Sequence, residues 1–162
     1  MDDDNLSTSH FKGRQMDGLT PYMPVIVEAT KFLFGEAGQW LDGLRHRSGA
    51  LAETPQVPNE GDAPALTADR FFQLEANPGD LASMINRQQA EANAYVIEGL
   101  VEQIKIHHKN LTDHESVEAE YGALTPQYIK RAIEREVTAI VEKSARLKEL
   151  LEQVYQERIG DA

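Results

Sequence analysis

The clearest pattern in this chain is a row of apolar residues close to its C-terminus. From Ile133 onward the side chains recur at alternating spacings of four and three residues, interrupted only by Ser144. This spacing places them on one narrow stripe of a helix, and charged residues cover most of the remaining surface. The pattern predicts a helix at about 125–158 that packs against another helix. The members of this C-terminal row are Ile133, Val137, Ile140, Leu147, Leu151 and Val154.

A second row with the same spacing precedes it and predicts a helix at about 80–110. Because the connection between the two predicted helices is short, we expect them to lie antiparallel as a hairpin. A hairpin alone leaves apolar surface in water, so a short helix at about 67–76 or a second copy of the chain is expected to cover part of it. We therefore interpret residues 67–160 as a helical bundle. The members of this central row are Ala90, Ala94, Ile97, Val101, Ile104, His108 and Leu111.

The segment 20–47 is predicted to form one long apolar helix. Thr20 is a suitable N-cap, and Pro21 fits the first turn because its missing N–H has no partner there. The apolar arc of this helix is wide, so it should be buried on most sides, either in protein or in lipid. Its candidates for contact with a partner or a membrane are Phe32, Leu33, Phe34, Trp40 and Leu41.

Two further segments lack any hydrophobic periodicity. Residues 48–66 are rich in proline, glycine and acidic side chains, which is typical of a flexible linker. Residues 1–19 are polar with scattered apolar positions, and they are expected to be a disordered acidic lead. The expected fold class is therefore all-α: a hairpin or small bundle with coiled-coil-like seams, preceded by a separate apolar helix on a flexible linker.

The charge and composition restrict the classes of function. A formal net charge of −11 over 162 residues argues against a nucleic-acid binder that neutralises phosphates, and it favours a basic partner. The absence of cysteine excludes disulfides, thiolate nucleophiles and zinc sites built on sulfur. An acidic N-terminus is unlike a secretory signal, so we expect a cytoplasmic protein, with membrane association as an alternative.

Catalytic signatures are weak. Neither a Gly-x-Ser-x-Gly elbow nor a phosphate-binding loop pattern occurs in the sequence. Imidazole and carboxylate groups near residue 110 are donors that a transition metal accepts. However, adjacent histidines on a helix project about 100° apart, which favours an ordinary polar helix end. We expect no enzyme, cofactor, metal site or small-molecule substrate. The cluster consists of His107, His108, Asp113, His114 and Glu115.

Three functions remain open on these grounds. The first is a non-enzymatic protein–protein interaction module, acting as an adaptor or in oligomerisation, in which the C-terminal row together with Ile97, Val101 and Ile104 contacts a second copy or a partner helix. The second is a membrane-docked or membrane-perturbing effector that acts through residues 21–47 and is regulated by the hairpin. Charges inside that segment cost roughly 3 kcal/mol each at the centre of a bilayer, so an interfacial helix or an oligomeric assembly is expected rather than a lone spanning helix. The third, a helical metalloenzyme or metal carrier, depends only on the histidine cluster.

Overall fold

The computed structural model describes residues 21–47 and 66–156, and within these ranges the chain is almost entirely helical. The all-α class is thereby confirmed. The predicted lead at 1–19 and nearly all of the predicted linker at 48–66 lie outside the described residues. The helices are α1 (Met23–Phe34), α2 (Glu36–Arg47), α3 (Ala68–Glu75), α4 (Pro78–Met84), α5 (Arg87–Tyr121) and α6 (Gln127–Val154), with a short 3-10 turn at Gly122–Leu124.

Helices α5 and α6 form an antiparallel hairpin and share the most extensive interface among the described elements. Ile97 and Ile104 of the central row are fully buried, as are Ile140 and Leu147 of the C-terminal row. Ser144, which interrupts the C-terminal row, is also buried, and its hydroxyl has no hydrogen-bond partner in the described structure. Packing of the two rows therefore builds the centre of the molecule.

Helix α5 differs at both ends from the predicted helix at 80–110. The chain first forms α4 and then restarts at Asn86, whose side chain accepts a hydrogen bond from the N–H of Gln89 at 3.3 Å. At its other end α5 runs eleven residues further, to Tyr121. The charged stretch near Asp113, which predicts a connection, contains no glycine or proline. It therefore continues the helix, on the side that faces solvent. The chain turns only at Gly122, whose positive φ of 52° is a backbone conformation that glycine adopts readily.

The predicted single helix at 20–47 is two helices, α1 and α2, separated at Gly35. The N–H of Gly35 donates to the carbonyl oxygen of Lys31 at 2.8 Å, and the ψ of −90° at Gly35 then departs from helical geometry. Both helices contact the hairpin: α1 packs against α5 and α6, and α2 packs against α6. Their buried residues, among them Ile26 and Ala37, join the same hydrophobic core as the hairpin. In the described structure this segment is therefore part of the bundle and not a separate unit.

A group of aromatic residues ties the end of α6 to the rest of the fold. Phe71 of α3 is fully buried, and its ring centroid lies 6.4 Å from that of Phe34 and 6.3 Å from that of Tyr155. The Tyr155 hydroxyl lies 3.3 Å from Oγ1 of Thr30, within hydrogen-bond distance. The backbone of Tyr155 also pairs with Ile85 in a single antiparallel bridge. Helices α1, α3 and α6 and the α4–α5 link consequently meet at this end.

Candidate interaction surfaces

The residues predicted to contact a partner through the hairpin lie inside the fold itself. Most are buried, and Ile133 and Val137 are partly buried against the same core. Because α5, α6 and the N-terminal helices cover them, they have little surface left for a second molecule. The buried members are Ile97, Val101, Ile104, Ile140, Leu147, Leu151 and Val154.

The residues predicted to contact a membrane or partner through the N-terminal segment are also used internally. Phe32 and Leu33 are buried, whereas Phe34, Trp40 and Leu41 are partly buried against the core. The rings of Phe32 and Trp40 pack edge to face with centroids 5.6 Å apart. Among the described residues, no helix combines the length and the apolar character that crossing a bilayer demands.

A groove of about 500 Å³ runs between α1 and α5. Its apolar lining comes from Val25 and Ala29 of α1 and from Val101 of α5. Gly99 also lines it, and a Cβ atom at this position would meet no other atom within 4 Å. The missing side chain therefore leaves the α5 backbone open to an approaching group.

Charged groups of one predominant sign surround this groove. Glu28 of α1 and Glu98 and Glu102 of α5 line it with carboxylates. Lys105 is the one base among the described lining residues, and its ammonium lies 5.4 Å from the centroid of the Phe32 ring in a cation–π contact. The groove consequently presents an apolar lining with an excess of negative charge.

Beyond Val101, the groove borders an exposed face of α5. Tyr95, Gly99, Glu102 and Ile106 follow one another at four, three and four residues, which places them on one helical face. Tyr95 is 87% exposed and Ile106 is 49% exposed. Sequence reasoning missed this face because a glycine and a glutamate occupy its middle, so its hydrophobic periodicity is weak.

A second exposed surface lies at the tip of the hairpin, where α5 turns into α6. Tyr121, Leu124 and Tyr128 surround this turn, and their exposed fractions are 52%, 84% and 68%. Polar side chains cover most of the nearby surface of both helices. Such a group of exposed large apolar residues at one end of a fold is typical of a contact surface.

The histidines that suggested a metal site have different neighbours. Nδ1 of His107 lies 2.6 Å from Oε2 of Glu136 and so joins α5 to α6. The His108 ring stacks on the indole of Trp40 with centroids 3.6 Å apart and an interplanar angle of 16°. No group of three or more potential metal ligands is found in the described part of the chain. The arrangement therefore gives both histidines a structural role in joining helices.

Acidification is expected to weaken the contact between α2 and α5. Burial lowers the pKa of His108, an effect that the carboxylates of Glu115 and Glu36 oppose. The unfolded chain then takes up this proton near pH 6.5, whereas the folded chain does so only at lower pH. The free energy of unfolding should accordingly have its full value above about pH 7 and decrease as the pH falls through the range below 6.5. Because Trp40 is the single tryptophan of the chain, urea titrations followed by its fluorescence at several pH values measure this loss.

The matched control for that titration is His108→Phe, which retains a ring against Trp40 but cannot be protonated. Carboxylates elsewhere also titrate on acidification, so the informative quantity is the difference between the wild type and the variant. The variant should lose less stability than the wild type between pH 7.5 and pH 5.5. Parallel losses in the two proteins would show that His108 does not contribute to the pH dependence.

Comparisons with protein-family models, with characterised proteins and with solved structures give no match to this chain, so the surfaces above are interpreted from their own chemistry.

Proposed function

We propose that this chain is a non-enzymatic protein–protein interaction module that binds a basic amphipathic helix in the groove between α1 and α5. The observation that carries the proposal is the combination of an open apolar lining around Gly99 with carboxylates from both helices. The apolar lining would contact the apolar face of the partner helix, and the carboxylates would contact its basic face.

The size of the groove suits anchor side chains rather than a whole helix. Its volume of about 500 Å³ can accommodate one or two large apolar side chains projecting from a partner helix. Helices that bind in grooves use such anchors at positions i, i+3 or i+4, and i+7. Gly99 helps because the absence of a side chain allows the partner backbone to approach α5 closely. Burial of the anchors should supply most of the affinity.

The charge of the groove determines the kind of helix that fits. Glu28, Glu98 and Glu102 outnumber the single base Lys105, which already contacts Phe32. Lysine or arginine side chains beside the anchors would therefore find opposite charges. Exposed ion pairs contribute about 0–1 kcal/mol each, so these charges should determine partner selection and association rate more than affinity. The net charge of −11 also favours association with a basic partner.

A protein partner is favoured over the membrane-docked alternative by two features of the described fold. The apolar side chains of α1 and α2 pack largely against the hairpin, which leaves no wide apolar face on these helices for lipid. The carboxylates around the groove would also repel anionic lipid headgroups. Both features support a groove that receives a helix from another protein.

The substitution Gly99→Leu tests the proposal because it adds a large apolar side chain to the groove lining at a position where its Cβ atom has open space. A suitable probe is a designed helical peptide with leucine on one face and lysine on the other. Its binding to the full chain can be followed by isothermal titration calorimetry. We expect Gly99→Leu to weaken binding by about tenfold or more, because the new side chain occupies the space of an anchor worth ~1.5–3 kcal/mol.

The control variant is Gly43→Leu, which adds the same side chain to α2 at a position where a Cβ atom also meets nothing within 4 Å. It should bind the peptide as the wild type does. A second peptide, with glutamate in place of lysine, should bind the wild type and Gly43→Leu more weakly and more slowly than the lysine peptide does. If the lysine peptide bound all three proteins equally, or bound none of them at ~100 µM, the groove would not be a helix-binding site.

A further inference from the structure

A short stretch of the chain before α1 has the composition that the groove between α1 and α5 favours. Residues 10–16 (the basic segment) contain two bases, Lys12 and Arg14, and no carboxylate, whereas every aspartate among residues 1–20 lies outside them. Phe11 is the one aromatic residue among residues 1–20. The basic segment lies outside the described residues, so what bears on it is its composition and the place at which the chain joins α1.

The groove offers matching surfaces for a ring and for bases. Ala29 and Val101 are buried and form an apolar floor, whereas the carboxylates of the lining are exposed at its edges. A ring that covers the floor removes apolar area from water, and bases beside it meet opposite charges. Because neighbouring side chains of an extended chain point to opposite faces, Phe11 on the floor would direct Lys12 and Arg14 to the edges. The carboxylates there belong to Glu28, Glu98 and Glu102.

The chain enters α1 beside the groove. Val25, which lines the groove, follows Pro21 by only four residues. Phe11 precedes Pro21 by ten residues, and at ~3.3 Å per residue an extended chain of that length reaches ~33 Å. The α5 side of the groove, from Tyr95 to Lys105, is ~15 Å long at a rise of ~1.5 Å per residue. The basic segment can therefore reach every part of the groove in its own chain.

Attachment to the same chain favours this segment over any free peptide. A short tether holds its segment near the site at an effective concentration of about 1 mM. A dissociation constant of ~1 mM is therefore sufficient for the segment to occupy half of the grooves. A second copy presents the same segment only at the bulk protein concentration, so the segment of the same chain binds first.

We propose that the basic segment occupies the groove of its own chain, with Phe11 on the apolar floor and Lys12 and Arg14 beside the carboxylates. A partner helix then binds by displacing the segment. Its apparent affinity is reduced according to the fraction of chains in which the groove is free. This inference rests on the proposed function, which supplies the preference of the groove for an apolar anchor beside bases.

Disulfide formation tests the position of the segment. The chain contains no cysteine, so two introduced cysteines can pair only with each other within one chain. Gly13→Cys with Gly99→Cys places one thiol in the segment and one in the groove, and the control, Gly13→Cys with Gly43→Cys, uses an equally open position on α2. Because a disulfide needs Cα atoms within about 7 Å, the first variant should oxidise about tenfold faster than the control. Its product should be a monomer on a non-reducing gel.

Peptide competition tests the displacement. In calorimetry with the lysine peptide, Phe11→Ser should bind about two- to tenfold more tightly than the wild type, because the competing anchor is gone. This substitution leaves the charge of the chain unchanged. The matched control is Leu6→Ser, which removes an apolar side chain outside residues 10–16 and should bind as the wild type does. Circular dichroism establishes that each variant is as helical as the wild type.

Three results would overturn the inference. They are equal oxidation rates of the two double-cysteine variants, disulfide-linked dimers in place of monomers, and equal affinities of Phe11→Ser and the wild type for a peptide that binds. Dimers would indicate that the segment binds a second copy. Failure of the proposed function looks different, because the lysine peptide would then bind no variant. The oxidation rates would in that case decide the inference by themselves.

Discussion

Truncation of Ile104 to alanine is expected to lower the free energy of unfolding by about 2–5 kcal/mol. Ile104 is fully buried in the hairpin core, where the loss of its side chain removes apolar contacts and leaves a cavity that the packed helices can fill only in part. Single domains are stable by roughly 5–15 kcal/mol, so this one change removes a large fraction of the total. Urea titration followed by circular dichroism gives the measurement.

The matched control is Ile106→Ala, two residues further along the same helix. Ile106 is 49% exposed and lies on the opposite side of α5, so its truncation should cost much less, within about 1 kcal/mol. The two variants share the residue type, the helix and nearly the same helix propensity. Comparable losses at the two positions would contradict the assignment of the central row to the core.

The hairpin could be predicted from the sequence because local spacing determines which residues share a helical face. Both rows pack in the core as their spacing predicts, the one that begins at Ile133 and the one through Ile97 and Ile104. The all-α class follows from them. Spacing does not specify what covers a face. The wide apolar arc of residues 20–47 was therefore compatible with lipid, a partner or the hairpin, and only tertiary structure shows the contact with α5 and α6.

The ends of helices were harder to predict than their faces. The charged stretch near Asp113 predicts a connection, although α5 continues through it to Tyr121. Charges alone do not end a helix, because they can point into solvent, whereas glycine with positive φ ends it here at Gly122. Hydrophobic spacing likewise does not reveal the break at Gly35, where φ is −96°.

The candidate surfaces could not be predicted because residues far apart in sequence form them. The groove joins Val25 and Glu28 of α1 to Glu98 and Gly99 of α5, and its central feature is a missing side chain. At the tip, Tyr121, Leu124 and Tyr128 surround a turn whose position depends on how far α5 extends, and a helix end predicted near residue 110 does not reveal it.

The substitution Gly35→Ala is expected to destabilise the fold, although alanine is the better helix former. A Cβ atom at Gly35 would lie 2.6 Å from the carbonyl oxygen of Lys31, which is closer than any real contact of this kind. The obstacle is backbone that already accepts the Gly35 N–H, so relief requires the junction of α1 and α2 to shift. We expect a loss of about 1–3 kcal/mol, the usual cost of forcing an extra carbon into a packed site. Urea titration measures it.

The same shift should change the surroundings of Trp40, since the junction sets the direction in which α2 places this side chain against Phe32 and His108. Gly35→Ala should therefore alter the fluorescence of Trp40 in the folded state as well as the stability. Gly43→Ala is the matched control, because its new Cβ atom meets nothing within 4 Å and alanine should stabilise α2 by up to about 1 kcal/mol. If both substitutions stabilised the fold, a side chain at position 35 would be compatible with the junction of α1 and α2. The direction of α2 would then depend on its contacts with the hairpin and not on the glycine.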